Sequence, residues 1–484
     1  MKFVPFPTAL FASTLVLTST FLTLAQGRDN YSAAQEPVRL TETIESVPTY
    51  PFGLADKNPI FYTGRVYQGA QGRVYPYAMR DILSDEKQDE PYRLLYLENE
   101  YVKLGIAPDL GGRIFQATDK TNDYDFFYRQ HVVKPALIGM LGAWISGGVE
   151  WNIPHHHRPS SLMSIDWATA ENEDGSKTIF VGETEIRHRM RWNAAIKLYP
   201  GKSLVETEIT VENRSPFTQS MLSWANVSVH CNENYQVIFA PNVQFGTGHS
   251  KTAFNRWPID AGVDISFWKN HDKYARSVFA WDFDSDFLAG YDFGKDAGTT
   301  HVGNHYVVGG KKFFLWGNHP RAQVWDDALT DEDGSYLELM VGGWSDNQPD
   351  YSWIGPYETR RFRHYWFPIS KIKHVKNANL NGAVNMERTT DSMFSLGFCP
   401  TQSFEKVRLA LRADDREIWR TVADVAPGAP FFAGVALNDK DAKLPDERFT
   451  FSVKNAQGEE LVAYTPVVLK EEELPEPVAP FGNP

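Results

Sequence analysis

Along most of this chain apolar and polar residues change places at every second position. The segment "LVETEITVEN" sets Val205, Thr207, Ile209 and Val211 on one side and Glu206, Glu208, Thr210 and Glu212 on the other. That is the pattern of a strand with one buried face. "KTIFVGETEIRHRMRW", "YLELMVGG" and "FTFSVKNAQGEELVAY" repeat it, the last as two strands about a Gln457-Gly458 turn. Convincing amphipathic helices are hard to find, and turn signals follow one another closely. This texture belongs to antiparallel sandwiches rather than to βαβ repeats, so an all-β protein is expected.

The pattern also divides the chain. Residues 26–55 are polar and contain Pro, and read as a lead-in. Alternation then runs through 56–372, a span suited to one large β domain. A second unit over 373–466 has the length and strand spacing of a small immunoglobulin-like sandwich. The end, 467–484, is rich in Pro and Glu with nothing to bury, and reads as a disordered tail. At the other terminus Lys2 precedes an uncharged stretch from 3 to 24 that ends in the small residue Ala25. This is the layout of an export signal over residues 1–25, so a periplasmic or extracellular location is expected. Pro5, Pro7 and several Ser and Thr interrupt the stretch and weigh against a retained transmembrane anchor.

Composition narrows the function classes. A hydrophobic share of 42% is enough for a real core, and 14 Trp, 21 Tyr and 31 Phe are a conspicuous aromatic supply. Such rings stack on flat sugar faces and equally fill large sandwiches. The formal charge of −13, with no clustered Lys/Arg run, excludes a nucleic-acid surface. Cys231 and Cys399 are the two cysteines of the chain. That number rules out a cysteine zinc site, and both are expected as free thiols. No cofactor is called for. "DFDSDFLAGYDFGKDAG" has alternating Asp but lacks the spacing and terminal Glu of an EF-hand loop.

Four stretches together carry a resemblance: "LENEYVKLGIAPDLGGRIFQATDKTNDYDFFY", "GGVEWNIPHHHRPSS", "MLSWANVSVHCNENYQVIFAPN" and the run from "KKFFLWGNHP" through "YLELMVGGWSDNQPDYSWIGPYETRRFRHYWFPI". Over roughly residues 60–370 the chain resembles the galactose mutarotase-like superfamily, and within it the bacterial DUF5107 family. The resemblance implies a β-supersandwich with a concave, sugar-sized groove. Members of this family often precede tetratricopeptide repeats, and this chain stops where such repeats would begin.

The candidate site residues follow from both readings. On the stretch 336–340, alternation puts Tyr336, Glu338 and Met340 on one face, so Glu338 is partly desolvated and its pKa raised toward a useful range. The resemblance makes it the base that takes an anomeric hydroxyl proton. His230 is the implied general acid. The family's Asn-His pair followed by Tyr-Phe-Asn is absent here, and Trp224, Asn226 and His230 instead share one face at even spacing, with Ser228 between them. In "GGVEWNIPHHHRP", Glu150 and Asn152 face one way and Val149, Trp151 and Ile153 the other. His155 and His157 point to one side of an extended run and His156 to the other, which disfavours one metal held by all three. Hydrogen bonds to sugar hydroxyls, with Arg158 clamping a carboxylate or sulfate, fit this run better. Arg113, Trp344, Gln348 and Trp353 complete the substrate-binding set. Each of these residues alone also fits a structural role.

Where the mutarotases have a histidine in the early loop, this chain has Glu150. That departure favours glycosidic bond cleavage, with Glu150 and Glu338 flanking the bond and His230 assisting. Aldose 1-epimerisation and a non-catalytic carbohydrate-binding module are the alternatives. The expected partner is an oligo- or polysaccharide, with neither nucleic acid nor membrane.

Overall fold

Strand pairing, not helix packing, organises the chain. A computed structural model describes residues 36–58, 74–251, 253–344, 352–470 and 472–476. Residues 1–25, where the export signal is read, lie outside the described residues, as does Gln348. The first large sheet has twelve strands. Its order runs Arg39–Thr49, Gln88–Glu98, Val102–Ala107, Arg113–Asp119, Val149–Asn152, Trp224–His230, Tyr336–Gly342, Gly310–Leu315, Arg276–Trp281, Phe245–Thr247 and Phe254–Arg256. Tyr124–Asp125 pairs beside this path. The second sheet has eight strands, with Ala297–Val302, Thr359–Ser370 and Val205–Asn213 at its centre. Along both, neighbouring strands are antiparallel.

The pleat explains the alternation. In Val205–Asn213 every odd-numbered residue is buried and every even-numbered one half-exposed. In Tyr336–Gly342 Leu337, Leu339 and Val341 enter the core between the sheets, with Val227, Trp151 and Trp366. The partner residues Tyr336, Glu338 and Met340 therefore stand on the opposite face, away from the second sheet. All seven residues of this strand are nevertheless buried, because side chains and loops cover the outer face as well. Gly148 turns the chain into Val149–Asn152 at φ 62°, and a Cβ there would lie 1.8 Å from the Ile114 carbonyl oxygen. Only glycine fits that close approach.

Two expectations change. The described part of the lead-in contains the strand Arg39–Thr49, which pairs along its whole length with Gln88–Glu98. It is an edge strand, exposed on much of both faces, and so carries no hydrophobic alternation to read. One α-helix also occurs among the described residues, Pro320–Leu329. It buries only Ala322 and Leu329, hence the faint amphipathic signal, although Pro320 at its first turn is a usual helix-start residue.

The larger sandwich ends with Thr359–Ser370 and the smaller begins at Asn377–Asn379. The smaller one stacks two four-stranded sheets over its own core, which includes Phe394, Leu409, Phe449 and Val453. Cys231 and Cys399 are both free and buried.

Trp366 tests the inter-sheet core. Its ring, 1% exposed, packs against Phe127, Trp151, His301 and His364. Trp366→Ala is expected to lower unfolding free energy by about 3–5 kcal/mol. Replacing Val422, exposed on the smaller sandwich, by Ser should change it by less than about 0.5 kcal/mol, both read by urea unfolding.

Candidate functional site

Four adjacent strands of the large sheet bring their outer faces together. The register sets Glu150 beside Asn226, Asn152 beside Trp224 and Ser228 beside Glu338. On the far side Lys312 stands beside Met340 and Phe314 beside Glu338. Directly paired residues point to the same face of a sheet, so distant stretches of sequence meet here.

Glu150 is the hub. Its Oε2 accepts from the Trp144 indole at 3.0 Å, His157 Nδ1 at 2.9 Å, the Asn152 amide at 3.3 Å and the Asn226 amide at 3.5 Å. Burial alone would raise its pKa, but the His157 charge, that hydrogen bond, Arg113 and Trp144 bring it down to about 2. The carboxylate is therefore ionised and can only accept, which makes His157 Nδ1 the donor. Burial opposes a charge on His157, yet Glu150 overrides it and the imidazole pKa lies above its ordinary value. The His157 side chain stays 21% exposed, and its Nε2 has no partner among the described residues.

Glu338 sits in the opposite state. It is 3% exposed, and burial lifts its pKa to about 7 against the pull of His157, Lys312 and the Asn226 amide. That amide donates to Glu338 Oε1 at 3.2 Å, so one nitrogen lies within reach of both carboxylates. Lys312 is held below the ordinary lysine range by burial, partly offset by Glu338. Its ammonium lies 4.7 Å over the Phe279 ring. Trp224 and Trp344 wall the site, packed edge to face at 6.2 Å.

Several buried polar atoms on this face have no protein partner among the described residues: Glu150 Oε1, Asn152 Oδ1, Asn226 Oδ1 and the indole nitrogens of Trp224 and Trp344. Buried polar atoms are normally paired, so such a concentration of donors and acceptors marks a place built for a ligand that offers both. Among the described residues no group of three or more His, Cys, Asp and Glu side chains is gathered as a metal site.

The structure sorts the sequence candidates. Glu150, Asn152, His157, Trp224, Asn226, Glu338 and Trp344 come together. His156, at φ 38°, turns its ring onto Trp224 at 6.0 Å, and this bend ends the extended run assumed for the three histidines. His155 consequently meets Ser220 and His188 rather than the partners of His157. His230 shares the face but stands at its end, accepting from the Arg129 backbone N–H at 3.3 Å and packing on Tyr128. Burial lowers its pKa.

Arg158 is not a ligand clamp. Its guanidinium is 1% exposed, bonds to the carbonyls of Trp151 and Gly111 and to Ser160, and lies over Trp192. Arg113 gives Nη1 to the carbonyls of Ile145, Ser146 and Gly147, holding that loop and placing a cation near Glu150, while its buried Nη2 has no protein partner among the described residues. Trp353 lies on Ser352–Ile354 and is 42% exposed, outside the cluster.

Lys312 and Trp144 were not singled out from sequence. The cue for Lys312 was "GGKKFFLW": on a strand, adjacent lysines must face opposite sides, so an apolar flank forces at least one into a covered site. Lys311 indeed lies over Phe283 and Lys312 over Phe279. Trp144 carried no comparable signal.

Comparison with known proteins bears on the fold. The profile of the family described as "Domain of unknown function (DUF5107)" matches residues 70–369, and that of "YphG-like protein, second domain" matches 377–464. A TPR-domain containing protein from Parabacteroides distasonis has 22% identity and a TM-score of 0.62, over 70% of this chain and 56% of that one. It shares the fold, and this chain spans little more than half its length. A galactose mutarotase-like protein from Clostridium acetobutylicum has 9% identity and a TM-score of 0.42, over 58% of this chain and 96% of that one. A protein provisionally described as an aldose 1-epimerase from Klebsiella pneumoniae has 8% identity and a TM-score of 0.40, over 57% and 79%.

Glu150→Gln keeps the side-chain shape and removes the anion that charges His157. The His157 pKa, now above 6.5, is expected to fall below it in the variant. Side-chain imidazole NMR reads this directly, and an unchanged titration contradicts the assigned pairing.

Proposed function

The chain belongs to the DUF5107 family, and from the geometry of its site we propose that it binds a sugar on the outer face of the large sheet and exchanges protons at the anomeric centre, as an aldose 1-epimerase does. The observation that carries this reading is the pairing of a carboxyl near neutrality, Glu338 at about 7, with an imidazole held charged by Glu150. One group is ready to accept a proton and the other to give one.

In this reading Glu338 takes the proton from the anomeric hydroxyl. As that oxygen becomes a carbonyl, the bond between the anomeric carbon and the ring oxygen breaks, and His157 protonates the ring oxygen through Nε2. Rotation of the open-chain aldehyde and reclosure with the roles reversed give the other anomer, and both groups return to their starting states. Glu150 positions and charges His157 and takes no proton itself, while its unpartnered Oε1 accepts from a sugar hydroxyl. Trp224 and Trp344 supply apolar faces for the ring C–H groups, and the Asn152 and Asn226 carbonyl oxygens accept from hydroxyls. His157 thus takes the acid role that the sequence assigned to His230.

Glycosidic cleavage is the second reading. It is favoured by the Asn226 amide, which lies 3.2 Å from Glu338 and 3.5 Å from Glu150, two carboxyls with pKa values of about 7 and about 2. We rank it lower because indole, imidazole and amide donors already engage Oε2 of Glu150, leaving Oε1 alone to act on a glycosidic bond.

Anomer exchange of reducing sugars, followed by NMR, separates the two. Glu338 must be ionised and His157 protonated, so the rate should rise with pH toward about 7 as Glu338 loses its proton and fall at higher pH as His157 loses its own. Glu338→Gln is expected to slow exchange by about a hundredfold or more. Release of a new reducing end with no exchange would support cleavage, and equal exchange by wild type and Glu338→Gln would remove Glu338 from the mechanism.

A further inference from the structure

A large cleft lies apart from Glu338. Its volume is about 740 Å³, and Trp344 is part of its wall. That volume lies within the range of small-ligand pockets, about 300–1,000 Å³. Trp344 thus serves two places. It packs on Trp224 at the proton-exchange site, and it lines the cleft. Its ring can lie there because positions 310 and 342 are glycine: a Cβ at Gly310 would sit 2.0 Å from the indole, and one at Gly342 2.5 Å from it.

The other walls are aromatic as well, formed by Trp281, Phe283 and Tyr306. Each ring has a neighbour that holds it. Trp281 packs edge-on against Phe254 at 4.8 Å, and Phe283 lies under the Lys311 ammonium at 4.5 Å. Tyr306 stacks on His305 at 4.0 Å yet is itself 86% exposed, an unusual position for so large a ring. The two basic side chains on the walls are paired within the protein. His305 bonds Asp286 at 2.7 Å and Arg360 bonds Glu358 at 2.8 Å. Flat rings beside the exposed carboxylate of Asp282, with the basic groups already neutralised, suit a neutral polyhydroxy ring better than a phosphate or sulfate.

Resting on the sugar site proposed above, we infer that this cleft is a second subsite, holding a neighbouring neutral pyranose unit of an oligosaccharide whose reducing end lies at Glu338. The substrate class is then a reducing oligosaccharide rather than a free monosaccharide. Binding energy gathered by the cleft aligns the end that reacts.

The test uses the full chain with maltotriose, cellotriose, xylotriose and mannotriose, each beside its own monosaccharide. Titration calorimetry gives the affinity ratio, and circular dichroism with thermal melting confirms that each variant is folded. At least one trisaccharide is expected to bind about tenfold or more tightly than its monosaccharide, a difference of about 1.4 kcal/mol. Trp281→Ala and Tyr306→Ala should each bring that ratio close to one. Glu338→Gln should keep it, even if no anomer exchange is detected in any protein, so the subsite stands or falls separately from the reaction. A panel in which no trisaccharide outbinds its monosaccharide overturns the inference, as does a ratio that survives both aromatic substitutions.

Discussion

The ion pair between Glu150 and His157 governs the outer face of the large sheet. A buried carboxylate is unstable unless it is paired and hydrogen-bonded, and here indole, imidazole and two amides answer it while Arg113 lies nearby. The same anion keeps the imidazole charged where burial would discharge it. Glu338, two strands away and answered by the Asn226 amide, is left with a pKa near neutrality. Two glutamates on one sheet face thus acquire widely different pKa values through burial and their partners.

Sheet geometry makes this possible. Four antiparallel strands set alternate residues to the core between the sheets and to the outer face, so one strand can carry Leu337, Leu339 and Val341 inward and Glu338 outward. The apolar side fixes strand register, because a slip of one residue would exchange the two faces. Burial on one side therefore holds the polar groups of the other in place. The strand ends add a further device: Gly310 and Gly342 let Trp344 lie close on the backbone, where it meets Trp224 on one side and the aromatic cleft on the other.

What could be read from sequence was what obeys the two-residue period. The faces of Glu150, Asn152, Trp224, Asn226 and Glu338 followed from alternation, and the two sandwiches from its extent. Distance along a strand did not follow: His230 is on the expected face but at its end against Tyr128, while His157 meets Glu150. The bend at His156 broke the period in the loop that holds His157. The contacts of the arginines were hidden for a different reason. Arg113 and Arg158 answer backbone carbonyls, and a sequence does not show which carbonyls lack a partner until the chain is folded. The strand Arg39–Thr49 and the helix Pro320–Leu329 escaped because neither has one clearly buried face.

Carboxyl NMR of the wild-type protein across the acidic and neutral range tests the split between the two glutamates most directly, with Glu338→Gln identifying the 338 signal. The account predicts that this carboxyl titrates close to pH 7 while Glu150 remains ionised down to about pH 2. Two carboxyls that titrate together near the ordinary value of 4.5 would contradict it.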